Sequence, residues 1–296
     1  MGSMRGWLQT AVEKFREFAY AQPEAAMRSR RPRVGLALGG GFARGIAHIG
    51  VLRVLLENRI PIDCIAGTSV GALIASAYAA GVSLEEMQHQ AATTQFRDFG
   101  RWTLSWMGLA TNERLEGYLR RFAAVTRFEE LKLPLAIVAT DLGTGEAVAF
   151  TRGPLGPALR ASCAYPGLFL PVEHEGRTLV DGFLAAPVPV DAVRRLGAEI
   201  AIGVFLEAGG FEKPRNVADV IGRSFAIVQQ FANADWRSKA DVVIEPVVKP
   251  FVWDAFDKAP EIIAAGEAAT RAALPQILRA LAQPAAPRVV PRRAYR

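Results

Sequence analysis

VGLALGGGFARGIAHIGVLRVLLENRIPIDCIAGTSVGALIASAYAAG, residues 34–81, decides the fold. Two short β-rich runs, VGLALG (34–39) and IDCIAG (62–67), each pass through a glycine-bearing turn into a segment of helical period, 45–58 and 70–80. Strand, helix, strand, helix in that rhythm predicts parallel strands covered by helices. The charge-free stretch 64–82 is long enough to raise the question of a membrane span. Gly67, Thr68, Ser69, Gly71 and Ser76 interrupt it and Asp63 stands at its edge, so it divides into a buried strand and a helix of small residues.

Outward from this core the alternation continues. Helices are expected at 83–92 and 111–123, and strands at LPLAIVATDL (133–142) and EAVAF (146–150), on either side of a GTG turn. The loop-rich run GPLGPALRASCAYPGLFLPV (153–172) precedes a strand TLVDG (178–182), a helix at 189–196 and a strand EIAIGVFL (199–206). Polar EAGGFEKPRN (207–216) separates these from two long helices, 217–238 and 260–281, that bracket one more strand, DVVIEP (241–246). The expected architecture is α/β, a central and mostly parallel sheet sandwiched by helices with a helical C-terminal region. Its parts are an amphipathic basic segment at 1–31, a core at 32–206, and residues 207–296 completing the same domain, with a disordered tail after about 283.

With 296 residues, 51% hydrophobic and 22% charged, the chain can bury one large core or two moderate ones. Cys64 and Cys163 both sit in apolar runs, which makes neither a disulfide framework nor a zinc site and favours a reducing, cytoplasmic setting. MGSMRGWLQTAVEKFREFAY lacks the uninterrupted apolar run of a secretory signal. Net charge is +6, with arginines gathered in MRSRRPR (27–33) and PRRAYR (291–296). Basic ends suit an anionic surface, and no motif that reads nucleic acid accompanies them. Residues 5–20 form an amphipathic helical pattern, with Trp7, Phe15 and Phe18 on its apolar side. Residues 5–33 are therefore a candidate peripheral contact with an anionic membrane, on its inner face; solvated arginines over a helix packed on the core are the bland alternative.

Two motifs carry chemistry. GTSVG (67–71) has the Gly-x-Ser-x-Gly spacing of a nucleophile elbow, in which a strained serine sits between a strand and a helix while Gly67 and Gly71 let backbone pass close by. The helix that starts at Val70 turns its positive end toward Ser69. GGGFARG (39–45) leaves several amide groups free to converge, as an oxyanion hole or a phosphate cradle. A dinucleotide fingerprint fails because Arg44 stands where its third glycine belongs, and no Gly-Lys-Ser/Thr closes a Walker loop. Of three histidines, His48 falls inside a helix and His89 in a polar helical face, which leaves His174 in VEHEGR as one candidate base. Asp181 in TLVDGF is the other: it ends an apolar strand, is followed by Gly182, and is able to serve if the site desolvates and aligns it.

LALGGGFARGIAHIGVL, IAGTSVGAL, ATDLGTGE, ASCAYPGLFLPV and VDG occur in that order over about residues 34–190, and together they resemble the patatin-like phospholipase family. The resemblance implies a Ser–Asp dyad, with Ser69 as nucleophile and Asp181 as general base. It implies an oxyanion hole from the amides of Gly40, Gly41 and Phe42, with Gly39 opening the glycine run and Arg44 in the arginine position of the motif. The family's aspartate is often followed by two small residues; here Phe183 takes the third place. The implied reaction is hydrolysis of carboxylic esters of phospholipids or lysophospholipids, with no metal and no cofactor. The alternatives are an esterase or thioesterase on soluble acyl esters, and a non-catalytic membrane or signalling adaptor that keeps the fold.

Overall fold

The computed structural model describes residues 31–207 and 217–283; the expected helix at 5–20, Arg28, Arg30, most of the polar run 207–216 and the tail after 283 lie outside the described residues. The chain runs from β1 (Val34–Leu38) through a 3-10 segment (Phe42–Ile46) into α1 (Ala47–Glu57), then from β2 (Cys64–Thr68) into α2 (Val70–Ala80). Next come α3 (Leu84–Thr93), the single turn α4 (Phe96–Phe99), a hairpin of β3 (Arg101–Ser105) and β4 (Gly108–Thr111), and α5 (Arg114–Arg120). β5 (Leu135–Asp141), β6 (Ala147–Phe150), α6 (Leu155–Ser162), β7 (Val172–His174) and β8 (Arg177–Asp181) follow. α7 (Val190–Arg195), β9 (Ile200–Val204), α8 (Val217–Lys239), β10 (Val242–Ile244) and α9 (Ala259–Ala282) complete the order.

The main sheet has the order β10-β9-β1-β2-β5-β8-β7, parallel from β10 to β5, with β8 antiparallel to β5. Helices cover both faces, as expected for strands buried on two sides. The residues of β1 show how. Val34, Leu36 and Leu38 enter the larger core, beneath α1, α2 and α9, whereas Ala37 enters a smaller one that contains Val190 and Val193 of α7. Period-2 alternation therefore sends the large side chains to the thick layer and the small ones to the close layer. α1 and α9 cross at glycines: a Cβ on Gly50 would lie 2.1 Å from Ile263 O, and one on Gly266 would lie 2.0 Å from Ala47 O. Ile262 and Ile263 are buried beside that close crossing, each worth about 1.5–3 kcal/mol before chain entropy.

β5 positions the site. It pairs with β2 over Leu135–Val138 and with β8 over Ala139–Asp141, while β6 occupies its other edge over Ile137–Thr140. β2 and β8 thus lie end to end on one edge and run toward each other. Thr68, the last residue of β2, pairs with Val138, and Asp181, the last of β8, pairs with Ala139. The loop after β1 opens beside them, at the point where successive strands depart to opposite sides of β1, and such switch points form crevices at the carboxyl ends of strands.

Three elements depart from the sequence reading. The run 153–172 contains α6, the stretch before 111 contains the β3–β4 hairpin, and β7 forms an edge strand. Arg31, expected among the cations facing a membrane, makes a two-pronged contact with Asp63 at 2.6 and 2.8 Å. Among the described residues no helix is long and apolar enough to cross a membrane.

Candidate active site

Ser69 takes the one residue between β2 and α2 with φ 57° and ψ −129°, a backbone conformation that a serine adopts only when its surroundings impose it. The packing that imposes it depends on the flanking glycines. A Cβ on Gly71 would lie 2.3 Å from Leu38 O, and one on Gly67 would lie 2.3 Å from Gly71 O, so the helix can start this close to the sheet only with hydrogen at both positions. Ser69 N–H donates to Ser162 Oγ at 2.9 Å, and Ser162 Oγ–H donates to Val138 O at 2.6 Å, which ties the elbow to α6 and to β5.

Ser69 Oγ donates to Asp181 Oδ2 at 2.6 Å, while Asp181 Oδ1 accepts Phe183 N–H at 3.0 Å. Asp181 is fully buried. Burial pushes its carboxyl up to about 7, against the hydrogen bonds from Ser69 and Phe183, which pull it down. Thr140 Oγ1–H donates to Asp181 O at 2.9 Å and Thr68 Oγ1–H to Ala186 O at 2.9 Å, so both strand ends are held from the side. Gly182 admits the turn after the aspartate: a Cβ there would lie 2.1 Å from Val138 O.

The glycine loop faces this pair. Gly39 N–H donates to Val204 O and Ala43 N–H to Trp253 O, which fixes both flanks at 3.0 Å. Among the described residues, no acceptor meets the amides of Gly40, Gly41 or Phe42 between them. A Cβ on Gly40 would come within 3.2 Å of Ser69 Cβ, and Phe42 sits at φ 51°. His48 is wholly buried and its Nε2–H donates to Gly39 O at 2.8 Å; burial lowers its pKa to about 4, with that bond opposing, so it is a neutral prop for the loop. Arg44 bends back, its Nε–H 3.4 Å from Gly41 O, and burial lowers its pKa from an ordinary guanidinium value.

Two cavities meet at Ser69. A cleft is lined by Gly40, Gly41, Arg44 and Asp181 together with Trp102, Leu109, Phe225 and Trp253. Phe183, in the third place after the aspartate, stacks on Tyr165 at 5.1 Å and meets Phe225 edge-on at 5.3 Å, closing the wall behind the carboxylate. Behind Ser69 an apolar chamber runs between α2, α3 and α5, past Leu73, Ala77, Met87, Ala91 and Leu115. Polar side chains along it have partners: Thr94 Oγ1 meets Tyr118 OH, Gln90 Nε2–H donates to Glu86 Oε1 at 2.8 Å, and Asn112 Nδ2–H donates to Arg160 O at 2.7 Å.

His174 stands in β7 against the Phe150 ring at 5.2 Å and lines neither cavity, and His89 is exposed on α3. The structure thus brings together Ser69, Asp181, the glycine loop and Arg44, and leaves both histidines outside. Ser162, Thr140 and Thr68 are the participants that sequence reasoning missed. Ser162 lies within the quoted run ASCAYPG, but nothing in that run distinguishes a hydroxyl that props the elbow from one on a loop.

A family model described as patatin-like phospholipase matches residues 36–194. An uncharacterized NTE family protein of Mycobacterium tuberculosis is 41% identical over 194 residues, 62% of this chain and 54% of that protein. A patatin-like phospholipase domain-containing protein of Caenorhabditis elegans is 33% identical over 177 residues, 57% of this chain and 13% of its own. The chain spans about half the length of the mycobacterial relative. In the fold, the crystal structure of VipD from Legionella pneumophila aligns with TM-score 0.50 at 14% identity, over 85% of this chain and 67% of that one. Since the matched model spans more than half of its length, this chain belongs to the patatin-like phospholipase family.

Proposed function

We propose that the chain hydrolyses carboxylic esters of phospholipids or lysophospholipids, with Ser69 as nucleophile and Asp181 as general base. The observation that carries the reading is the 2.6 Å hydrogen bond from Ser69 Oγ to Asp181 Oδ2 in a desolvated pocket. A carboxyl pushed up to about 7 is a far better proton acceptor than an exposed one and is still ionised in good part near neutrality.

Ser69 Oγ attacks the ester carbonyl carbon as its proton passes to Asp181 Oδ2, and the carbonyl electron pair moves onto oxygen. That oxyanion is received by the amides of Gly40, Gly41 and Phe42, supported by the N-terminal end of α2. Collapse breaks the bond to the alcohol, which leaves with the proton from Asp181, and the acyl group stays on Ser69. Water then gives a proton to Asp181 while its oxygen attacks the acyl carbon. The second collapse returns that proton to Ser69 Oγ and frees the fatty acid. In this reading the apolar chamber holds the acyl chain, and Arg44, which stays charged despite burial, faces the headgroup phosphate from the cleft.

Turnover of long-chain phospholipid and lysophospholipid beside a butyryl ester, by wild type and Ser69→Ala, tests the reading. Long-chain lipid should be hydrolysed and Ser69→Ala should be inactive. Preference for the butyryl ester would favour an esterase of soluble substrates. A folded wild type that is inert and ignores a fluorophosphonate serine probe would favour an adaptor.

A further inference from the structure

The β3–β4 hairpin stands over the mouth of the Ser69 cleft and the proposed chemistry does not use its tip. It turns at Trp106, which is fully exposed, and Met107, which is 62% exposed. Trp102 and Leu109, exposed by 64% and 53%, continue the apolar surface down to the cleft, whose wall they form. No residue from Trp102 through Asn112 is charged, while exposed Arg97, Arg101 and Arg114 surround the foot of the hairpin. Val252 and the cleft-lining Trp253 beside it are also exposed, so the apolar rim comes from two separate segments.

An exposed apolar rim of this kind around a cleft marks a surface of association. Tryptophan at the tip and arginine at the foot match the two layers of a membrane interface, where aromatic rings sit at headgroup depth and cations meet lipid phosphates. Of the nearby carboxylates, Asp98 is taken by Arg121 at 3.1 Å, and Glu113 reaches Arg101 only at 3.6 Å between two exposed side chains, a pair that phosphate can replace. Location decides between a lipid surface and a protein partner: a protein seated on this rim would cover the cleft, whereas a bilayer seated there supplies it.

We propose that the hairpin is a membrane-insertion device, with Trp106 and Met107 entering the interfacial layer of an anionic bilayer so that the Ser69 cleft opens onto the lipid. The proposal rests on the lipid-ester reading above for its purpose, and its test reads binding separately from chemistry. The full chain is sedimented with phosphatidylcholine–phosphatidylglycerol vesicles, in parallel with Trp106→Ser/Met107→Ser and Trp106→Phe. Neither residue lines the cleft or the chamber, so butyryl-ester turnover should hold in both variants. The double variant should partition at least about tenfold less, since two large apolar side chains no longer leave water. Brominated lipid should quench wild-type fluorescence more than that of Trp106→Phe, which should still bind. Added salt should weaken binding.

Equal partition of wild type and the double variant, with equal quenching of wild type and Trp106→Phe, would overturn the proposal. Binding that is lost on deletion of residues 1–30 and kept by the double variant would also overturn it, in favour of the N-terminal segment. A lipid-free dimer abolished by the double variant would do the same, in favour of a second copy of the chain. Hairpin-dependent vesicle binding in a protein inert toward every ester would support the hairpin and sink only the hydrolase reading.

Discussion

At the scale of single residues, the proposed chemistry and the stability of the fold pull Asp181 in opposite directions. The carboxyl titrates near 7 when folded and near 3.8 when exposed, so between those values the folded chain holds the extra proton and stability falls as pH rises. Turnover should rise with pH through about 7 on the acid side, because the base must be ionised. Asp181→Asn should abolish turnover yet raise the thermal midpoint at pH 8, by an amount worth up to about 4 kcal/mol, with little change at pH 4. An unaltered midpoint at pH 8 would mean that the aspartate is better solvated than its burial implies. Ser69→Ala and Asp181→Asn should each lower hydrolysis by several orders of magnitude, and the double variant should be little worse than either, whereas His174→Ala should leave rates near wild type. Ser162→Ala strands Ser69 N–H and Val138 O, so it should cost about 1–3 kcal/mol of stability and lower kcat with KM little changed, a split that kinetics on a short ester would reveal. Ser69 and the glycine loop stood out because their chemistry demands a particular spacing, whereas Asp181 stood beside His174 as a candidate base until the family resemblance pointed to it. Ser162, Thr140 and Thr68 were not legible, because any hydroxyl at the right point in space would serve and sequence does not display that point.

At the scale of elements, β1–α1 and β2–α2 were readable because an apolar run, a glycine turn and a helical period coincide there. α6 was hidden by composition. Pro154 caps it and Pro157 falls within its first turn, where a missing N–H is tolerated, so a segment that reads as loop holds eight residues of helix. The β3–β4 hairpin was hidden for another reason: Arg101, Trp102 and Ser105 of β3 are not buried, and β4 buries only the small Gly108, Ala110 and Thr111 around exposed Leu109, so no apolar alternation announces them. α3 supplies a test of the chamber. Ala91 is a buried residue that lines it, so Ala91→Leu narrows the chamber. kcat/KM for a palmitoyl ester should fall by about tenfold or more relative to a butyryl ester, while the thermal midpoint holds. An equal loss on both esters would mean that the acyl chain lies elsewhere.

At the scale of the whole molecule, parallel strands with helices on both faces follow from the alternation of elements, whereas the order of the strands does not. β10 extends the sheet beyond β9, and α9 seats its glycine on α1. What the order of elements does not disclose is how β5 is shared. One strand carries β2 and β8 end to end, and its neighbours deliver Ser69 and Asp181, 112 residues apart in the chain, to adjacent positions on it. Local helices can form before such distant partners meet, and closing a loop of that length is slow. During refolding from denaturant, labelling of Ser69 by a serine probe should therefore lag behind the recovery of helical circular dichroism; labelling that keeps pace would mean that β2 and β8 dock early. With the pair assembled only when the sheet closes, a half-made chain carries no assembled site, so under the proposed chemistry no ester is at risk until folding is finished.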